Sequence, residues 1–245
     1  MTPPATPRPL RVLACSVAFN EAEKIARVVE RVHRPDVDEF IVFDDGSTDA
    51  TPEAVRSRGF RVVSHPQRRG VGAAIRSAIR LAQQEGFDVL VIMAGNDKDR
   101  PQEIPRLVDP IRKGEADFVQ GSRYLPGGDF GNVPFYRRIA TQIVHPWLFS
   151  LAARRRITDS TNGFRAFRLS LFDDPRINID QAWLAAYELE PYIFFKAIRL
   201  GYKVREAPVT KIYPPHELGY TKMKPITGWW SILRPIILLG LGLKK

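Results

Sequence analysis

FIVFDDGSTDAT, residues 40–51, sets an apolar run against two adjacent carboxylates and passes at once into small, turn-forming side chains. The run predicts a buried strand that delivers Asp44 and Asp45 to the rim of a sheet. Gly46 permits a tight turn, and Ser47, Thr48 and Asp49 supply capping oxygens. Pro52 suits the first turn of a helix continued by residues 53–58. Strand, acidic turn and helix in that order put the two carboxylates where open α/β sheets hold ligands. A DG turn also forms for purely local hydrogen-bonding reasons, so a structural role stays open. Two neighbouring acceptors suit the vicinal hydroxyls of a sugar or the N–H groups of a base.

The flanks repeat this unit. Residues 10–18, LRVLACSVA, predict a first buried strand ending at Phe19, Asn20 and Glu21, and Asn20 caps a helix whose Ile25, Val28, Val29 and Val32 recur at helical spacing. Residues 60–64, 87–93 and 117–121 predict three more strands. Strands alternating with helices imply a parallel sheet with right-handed crossovers. Between the third and fourth strands, QRRGVGAAIRSAIRLAQQ opens a long helix from a turn in which Gly70 and Gly72 admit close backbone approach. Arg68 and Arg69 bring positive charge to its amino end, as an anion site or as a solvated surface. The fourth strand leads into AGNDKDRP, residues 94–101, a second acidic loop expected beside the first. Carboxylates from both would flank a hydrated cation or a diphosphate.

An apolar content of 44% in 245 residues supports a folded core. The expected layout is a disordered arm over 1–9, one domain over 10–224 and an apolar, basic tail over 225–245. A nucleotide half runs to about residue 121 and an acceptor half follows. The net charge of +10 suits nucleic acid, an anionic membrane surface or phosphorylated substrates; no nucleic-acid-binding module accompanies it, so nucleic acid is not an expected partner. Cys15 is the one cysteine, which excludes a disulfide framework and suits a reducing compartment, and its apolar setting reads as a core thiol. His33, His65, His145 and His216 show no ligand spacing.

In the second half, residues 134–153 have apolar positions at helical spacing and end in Arg154, Arg155 and Arg156, a solvated helix end or a clamp for a lipid phosphate. Residues 184–200 predict an amphipathic helix with Glu188 and Glu190 in its first turns, and 203–213 an edge strand. The tail ITGWWSILRPIILLGLGL, interrupted by Arg234 and Pro235, is too short to cross a bilayer comfortably. It suits a helix in the membrane interface, or one packed on the domain or on a second subunit to form an oligomer.

VAFNEAEKI, DDGSTDAT, RRGVGAAI, GSRYLPGG, DSTNGFRAFR and YELEPY, in this order, make the chain resemble the family 2 glycosyltransferases over about residues 12–230. Within them it is most similar to the branch of dolichol-phosphate mannosyltransferase and the polyprenyl-phosphate sugar transferases. The resemblance implies a GT-A type fold: a Rossmann-like, mostly parallel sheet with a mixed extension and helices on both faces. It implies inverting transfer from a UDP- or GDP-linked sugar to a polyprenyl phosphate, or to a glycan or small-molecule hydroxyl, at the cytoplasmic face of a membrane.

Carried over by position, Phe19 and Glu21 line the base pocket, Asp44 and Asp45 hold base and ribose, and Gly70 and Gly72 form the glycine turn. Arg123 faces the diphosphate and sugar, Arg137 and Arg138 receive the acceptor phosphate, and Lys211, Lys222 and Lys224 close over the diphosphate or form a solvated loop. Glu188, Glu190 or Asp159 would serve as general base where the acceptor is a hydroxyl. The family's metal-binding Asp-x-Asp is replaced by Ala94, Gly95 and Asn96. Either Asn96 with Asp97 or Asp99 still holds Mg²⁺ or Mn²⁺, or lysine and arginine charge takes the place of the metal. The same departure opens a non-catalytic alternative, a scaffold that binds nucleotide sugar without transferring it.

Overall fold

The computed structural model describes residues 8–213 and 225–244, the side chains of 225–229 excepted. Lys222, Lys224 and most of the expected arm lie outside the described residues.

Among the described residues seven strands build one sheet: β1 (Val12–Ala18), β2 (Glu39–Asp44), β3 (Arg61–Ser64), β4 (Val89–Ala94), β5 (Phe118–Ser122), β6 (Arg165–Arg168) and β7 (Val204–Pro208). Their order is β3-β2-β1-β4-β6-β5-β7. The helices are α1 (Ala22–Glu30), α2 (Thr51–Arg56), α3 (Val71–Gln84), α4 (Ile104–Arg112), α5 (Phe135–Ile139), α6 (His145–Ala153), α7 (Leu189–Arg199) and α8 (Pro225–Gly240). Strands β1, β2 and β4 have continuous or near-continuous apolar runs because helices cover both faces. Leu13, Cys15, Ile41, Phe43, Leu90 and Ile92 face Ile75 and Ile79 of α3. Their neighbours Val12, Ala14, Val42 and Val91 face the α1, α2 and α4 side, with Ile25, Val28, Val55 and Leu107. Successive residues pointing to opposite faces make two cores from one set of strands. Cys15 is buried in the first, and burial pushes its thiol well above the usual range.

Two expectations change. First, β6 runs antiparallel between β4 and β5, so β5 is not a parallel neighbour of β4. Second, the loops after β2 and β4 are not adjacent, because β1 pairs with both strands and its own end, Phe19 to Glu21, lies between them. The connection through α3 crosses to the far side of β1, which makes the β1/β4 edge a switch point of the kind where open α/β sheets bind ligands.

The predicted helix over 184–200 begins only at Leu189, after a single 3-10 turn over Ala182–Leu184. α5 and α6 are joined through a π turn over Ala140–Val144. α8 packs on α6 and α7, burying Ile236 and Leu239, so part of the tail is seated on the protein. No described helix is long and apolar enough to cross a membrane.

Candidate active site

At the carboxyl ends of β1 and β4 lies a cavity of about 500 Å³, inside the range of about 300–1,000 Å³ usual for small-molecule sites. Five elements contribute to its wall: Phe19, Asn20 and Glu21 after β1, Asp45 after β2, Arg68, Gly70 and Val71 before and at the start of α3, Ala94, Asn96 and Lys98 at and after the end of β4, and Arg123 after β5. Thr161, Gly163 and Arg165 approach along β6, and Ala186, Tyr187 and Glu190 along the entry to α7. Arg137, Lys211 and Tyr213 complete one side.

The two aspartates of the organising turn divide their work. Asp44 is 2% exposed and closes the turn, accepting hydrogen bonds from Ser47 N at 3.1 Å and from the Ser47 hydroxyl. Asp45 lies on the cavity wall, but its carboxylate accepts from Arg69 N and Gly70 N, each at 2.8 Å, and sits 3.0 Å from His65 Nδ1. His65 Nε2 meets Ser77 Oγ of α3 at 2.9 Å. The acidic turn is therefore bolted to the glycine turn directly, and to the body of α3 through His65, whose position in the sequence shows no spacing to a partner.

Gly70 has a φ of 95°, and a Cβ on Gly72 would stand 2.3 Å from Leu184 O and 2.8 Å from Ala185 O. The close approach that Gly72 permits is made by the chain itself. Phe19 carries the Arg68 guanidinium 4.4 Å from its ring centroid, and Glu21 pairs with Lys24 at 2.8 Å. Cationic planes over aromatic rings are attractive, and this corner offers a flat, polar-edged slot.

Arg123 donates to both Asp159 oxygens, from Nε at 2.7 Å and Nη2 at 2.8 Å, and also from Nη2 to Thr161 Oγ1 at 2.6 Å. The two side chains are 3% and 0% exposed. Burial alone would lower the guanidinium and raise the carboxyl, but their opposite charges outweigh it and hold Arg123 above and Asp159 below its ordinary range. Arg123 reaches the wall; Asp159 sits behind it as the counter-ion of Arg123. Glu188 also stands behind the wall, accepting from Ala186 N at 3.1 Å with Arg234 3.5 Å away. Glu190 is the carboxylate of that helix on the cavity, 3.4 Å from Arg165. The expected basic pair also separates: Arg137 is on the wall, while Arg138 binds Gln142 Oε1 at 2.9 Å and lies over Phe130.

The expected metal set is not brought together. Asp97, at a φ of 62°, turns away from the cavity to pair with Arg31, and with Arg27 at 3.9 Å. Asp99 is buried, accepting from Lys211 Nζ at 2.5 Å and Ala94 N at 3.1 Å. Asn96 alone of the three reaches the wall, with its buried Oδ1 lacking a hydrogen-bond partner. Among the described residues no cluster of three or more acidic, histidine or cysteine side chains could hold a metal. Lys98 stands on the wall instead; burial first, then Lys211 and Arg137, push its ammonium down to about 7.

A family model described as Glycosyl transferase family 2 matches residues 14–175. The polyprenol monophosphomannose synthase of Mycolicibacterium smegmatis is 32% identical, over 90% of this chain and 84% of its own length. The undecaprenyl-phosphate mannosyltransferase of Micrococcus luteus is 31% identical, over 87% of this chain and 88% of its own. Among solved structures, glucosyl-3-phosphoglycerate synthase from Mycobacterium tuberculosis in complex with UDP superposes with a TM-score of 0.68 at 22% identity, covering 95% of this chain and 79% of its own. The same enzyme with Mn²⁺, UDP and phosphoglyceric acid gives 0.66. At that identity the likeness speaks for the fold.

Proposed function

Because this chain belongs to glycosyl transferase family 2 and is a glycosyltransferase on a GT-A sheet, we propose that it moves a sugar from a nucleotide diphosphate sugar to a polyprenyl phosphate, inverting the transferred carbon. The observation that carries this is one cavity at the switch point, with the Phe19/Arg68 slot at one end and Arg123, Arg137, Lys98 and Lys211 on its wall. The slot suits a base, and the cations suit a diphosphate and a second phosphate.

The acceptor attacks from the face opposite the leaving diphosphate, so positive charge grows on the sugar carbon while negative charge grows on the departing oxygen. Fixed cations beside that oxygen lower the barrier more than they stabilise bound substrate. Arg123, locked by Asp159, is such a cation. A phosphate monoester is already largely ionised near neutral pH, and its oxygen attacks without a base. A hydroxyl acceptor is the second reading; it needs a base, and Glu190 is the wall carboxylate in place for that role.

We expect one donor from a panel of UDP-, GDP- and dTDP-sugars to give a lipid-linked sugar with a polyprenyl phosphate, and its nucleotide diphosphate to raise the unfolding midpoint by mass action. No product and no shift with any donor would overturn the proposal.

The lipid acceptor is supported by the surface as well as by the two relatives' names. Phe135, Tyr136, Ile143, Trp147 and Leu151 are exposed along α5 to α6, and Trp230 and Ile237 along α8 with Leu241 just past its end; Arg154, Arg155 and Arg156 follow α6 in the chain. Exposed aromatic and aliphatic groups flanked by arginine are the signature of a helix face seated in an anionic membrane interface. The protein should sediment with anionic liposomes, and Trp147→Asp with Leu151→Asp should weaken that binding about tenfold or more, each lost side chain removing about 1.5–3 kcal/mol of burial. Unchanged sedimentation would assign the face to another partner.

A further inference from the structure

The geometry points to a diphosphate subsite that works without a divalent metal, with the ammonium groups of Lys98 and Lys211 holding the charge that a cation would otherwise balance. This rests on the reading that the cavity takes a nucleotide diphosphate.

Three observations carry it. The first is the fate of the carboxylates after β4. Magnesium in a nucleotide site is usually held through one or two carboxylates plus the phosphates. Here Asp97 is turned to Arg31 and Arg27, and Asp99 is spent on Lys211 and the Ala94 amide. Asn96 offers one neutral oxygen.

The second is the sign of the wall. Among the described residues seven basic side chains face the cavity against three carboxylates. Glu21 is paired with Lys24, Asp45 accepts bonds from the glycine turn, and Glu190 lies beside Arg165. A doubly charged metal entering such a wall meets net repulsion, whereas a diphosphate meets attraction.

The third is preorganisation. Asp99 and Asn162 fix Lys211 Nζ through bonds of 2.5 Å and 3.1 Å, and an ammonium has three donors, which leaves one for a ligand oxygen. Lys98 is held with its Nζ 4.4 Å from the Tyr213 ring centroid. Asp99, one residue from Lys98, thus orients a lysine from the far end of the chain.

The test is calorimetric titration of UDP, GDP and dTDP into the full chain, once with EDTA and once with Mn²⁺. Whichever nucleotide binds should do so with the same Kd, within about twofold, in both buffers. Lys98→Ala should weaken it about tenfold or more, the scale of one lost hydrogen bond to a charged group. Lys98→Arg should recover most of that loss, and the corresponding nucleoside should be little affected by either change. Circular dichroism checks that each variant folds. Binding that appears only with Mn²⁺, or a Kd indifferent to Lys98→Ala, overturns this inference and leaves the transferase reading standing. Failure of all three nucleotides in both buffers overturns the inference together with the reading of the cavity.

Discussion

Arg123→Ala is expected to lower the unfolding midpoint by about 6–20 °C and to cut turnover at least about a hundredfold. The guanidinium and the Asp159 carboxylate are both buried and share two hydrogen bonds. Removing one partner strands the other's charge away from water, at a cost of about 3–5 kcal/mol, and a chain of this size loses about 2–4 °C per kcal/mol. The family resemblance casts Arg123 as a group facing the diphosphate and sugar; the buried ion pair makes it structural as well.

A second variant separates the two roles. Arg123→Met with Asp159→Leu removes both charges, so much of the lost midpoint should return, while turnover stays low because the cation beside the leaving group is still missing. Turnover that recovered with stability would show that Arg123 acts only by holding the fold. The pair also fixes a pH dependence. Asp159 sits below its ordinary value of 3.8, so its stabilisation is complete above that pH and is lost as the pH falls through the folded value. Unfolding midpoints of the wild type and the double variant should therefore converge in acid and diverge above about pH 4.

How much of this was legible in the residues follows from what sets each feature. The strands on both sides of the organising turn were readable because helices cover both faces and demand long apolar runs, as in residues 12–18 and 89–94. The antiparallel insertion of β6 is not legible in the same way: RAFR is four residues with a buried arginine, and its direction is set by pairing with β4 and β5. The site residues were readable by type more than by direction. Asp44 and Asp45 are adjacent, yet consecutive side chains leaving a strand face opposite ways, so one closes the turn and the other pins the glycines. Glu188 and Glu190 divide the same way between Arg234 and the cavity. Asp97 is turned by its own left-handed backbone, and Arg123 finds Asp159 across 36 positions, a pairing that no local spacing announces. The residue pattern itself puts Gly70 at the mouth of α3 and Gly72 in its first turn, but which backbone those glycines admit is a tertiary fact.

That fact gives the second large effect. Gly72→Ala should lower the unfolding midpoint by several degrees and weaken nucleotide diphosphate binding about tenfold or more, because the new Cβ meets backbone and not a flexible side-chain tip. Forcing atoms into packed surroundings costs about 1–3 kcal/mol. Leu184 O, 2.3 Å from that Cβ, also accepts a hydrogen bond from Arg76 at 3.1 Å, and the Leu184 side chain is fully buried, so the segment yields only by shifting as a unit. Ala186 and Tyr187, which follow directly, are part of the cavity wall and would move with it. Gly114→Ala is the control: its φ is +70°, nothing stands within 4 Å of the added Cβ, and it lies away from the cavity. It should lose about 1 kcal/mol for the left-handed backbone and leave nucleotide affinity unchanged. If Gly72→Ala weakened nucleotide binding with an unaltered midpoint, the glycine would be making room for the ligand. A fall in both means it makes room for residues 184–186, and the ligand site is shaped at one remove, by how closely α3 lets that segment approach.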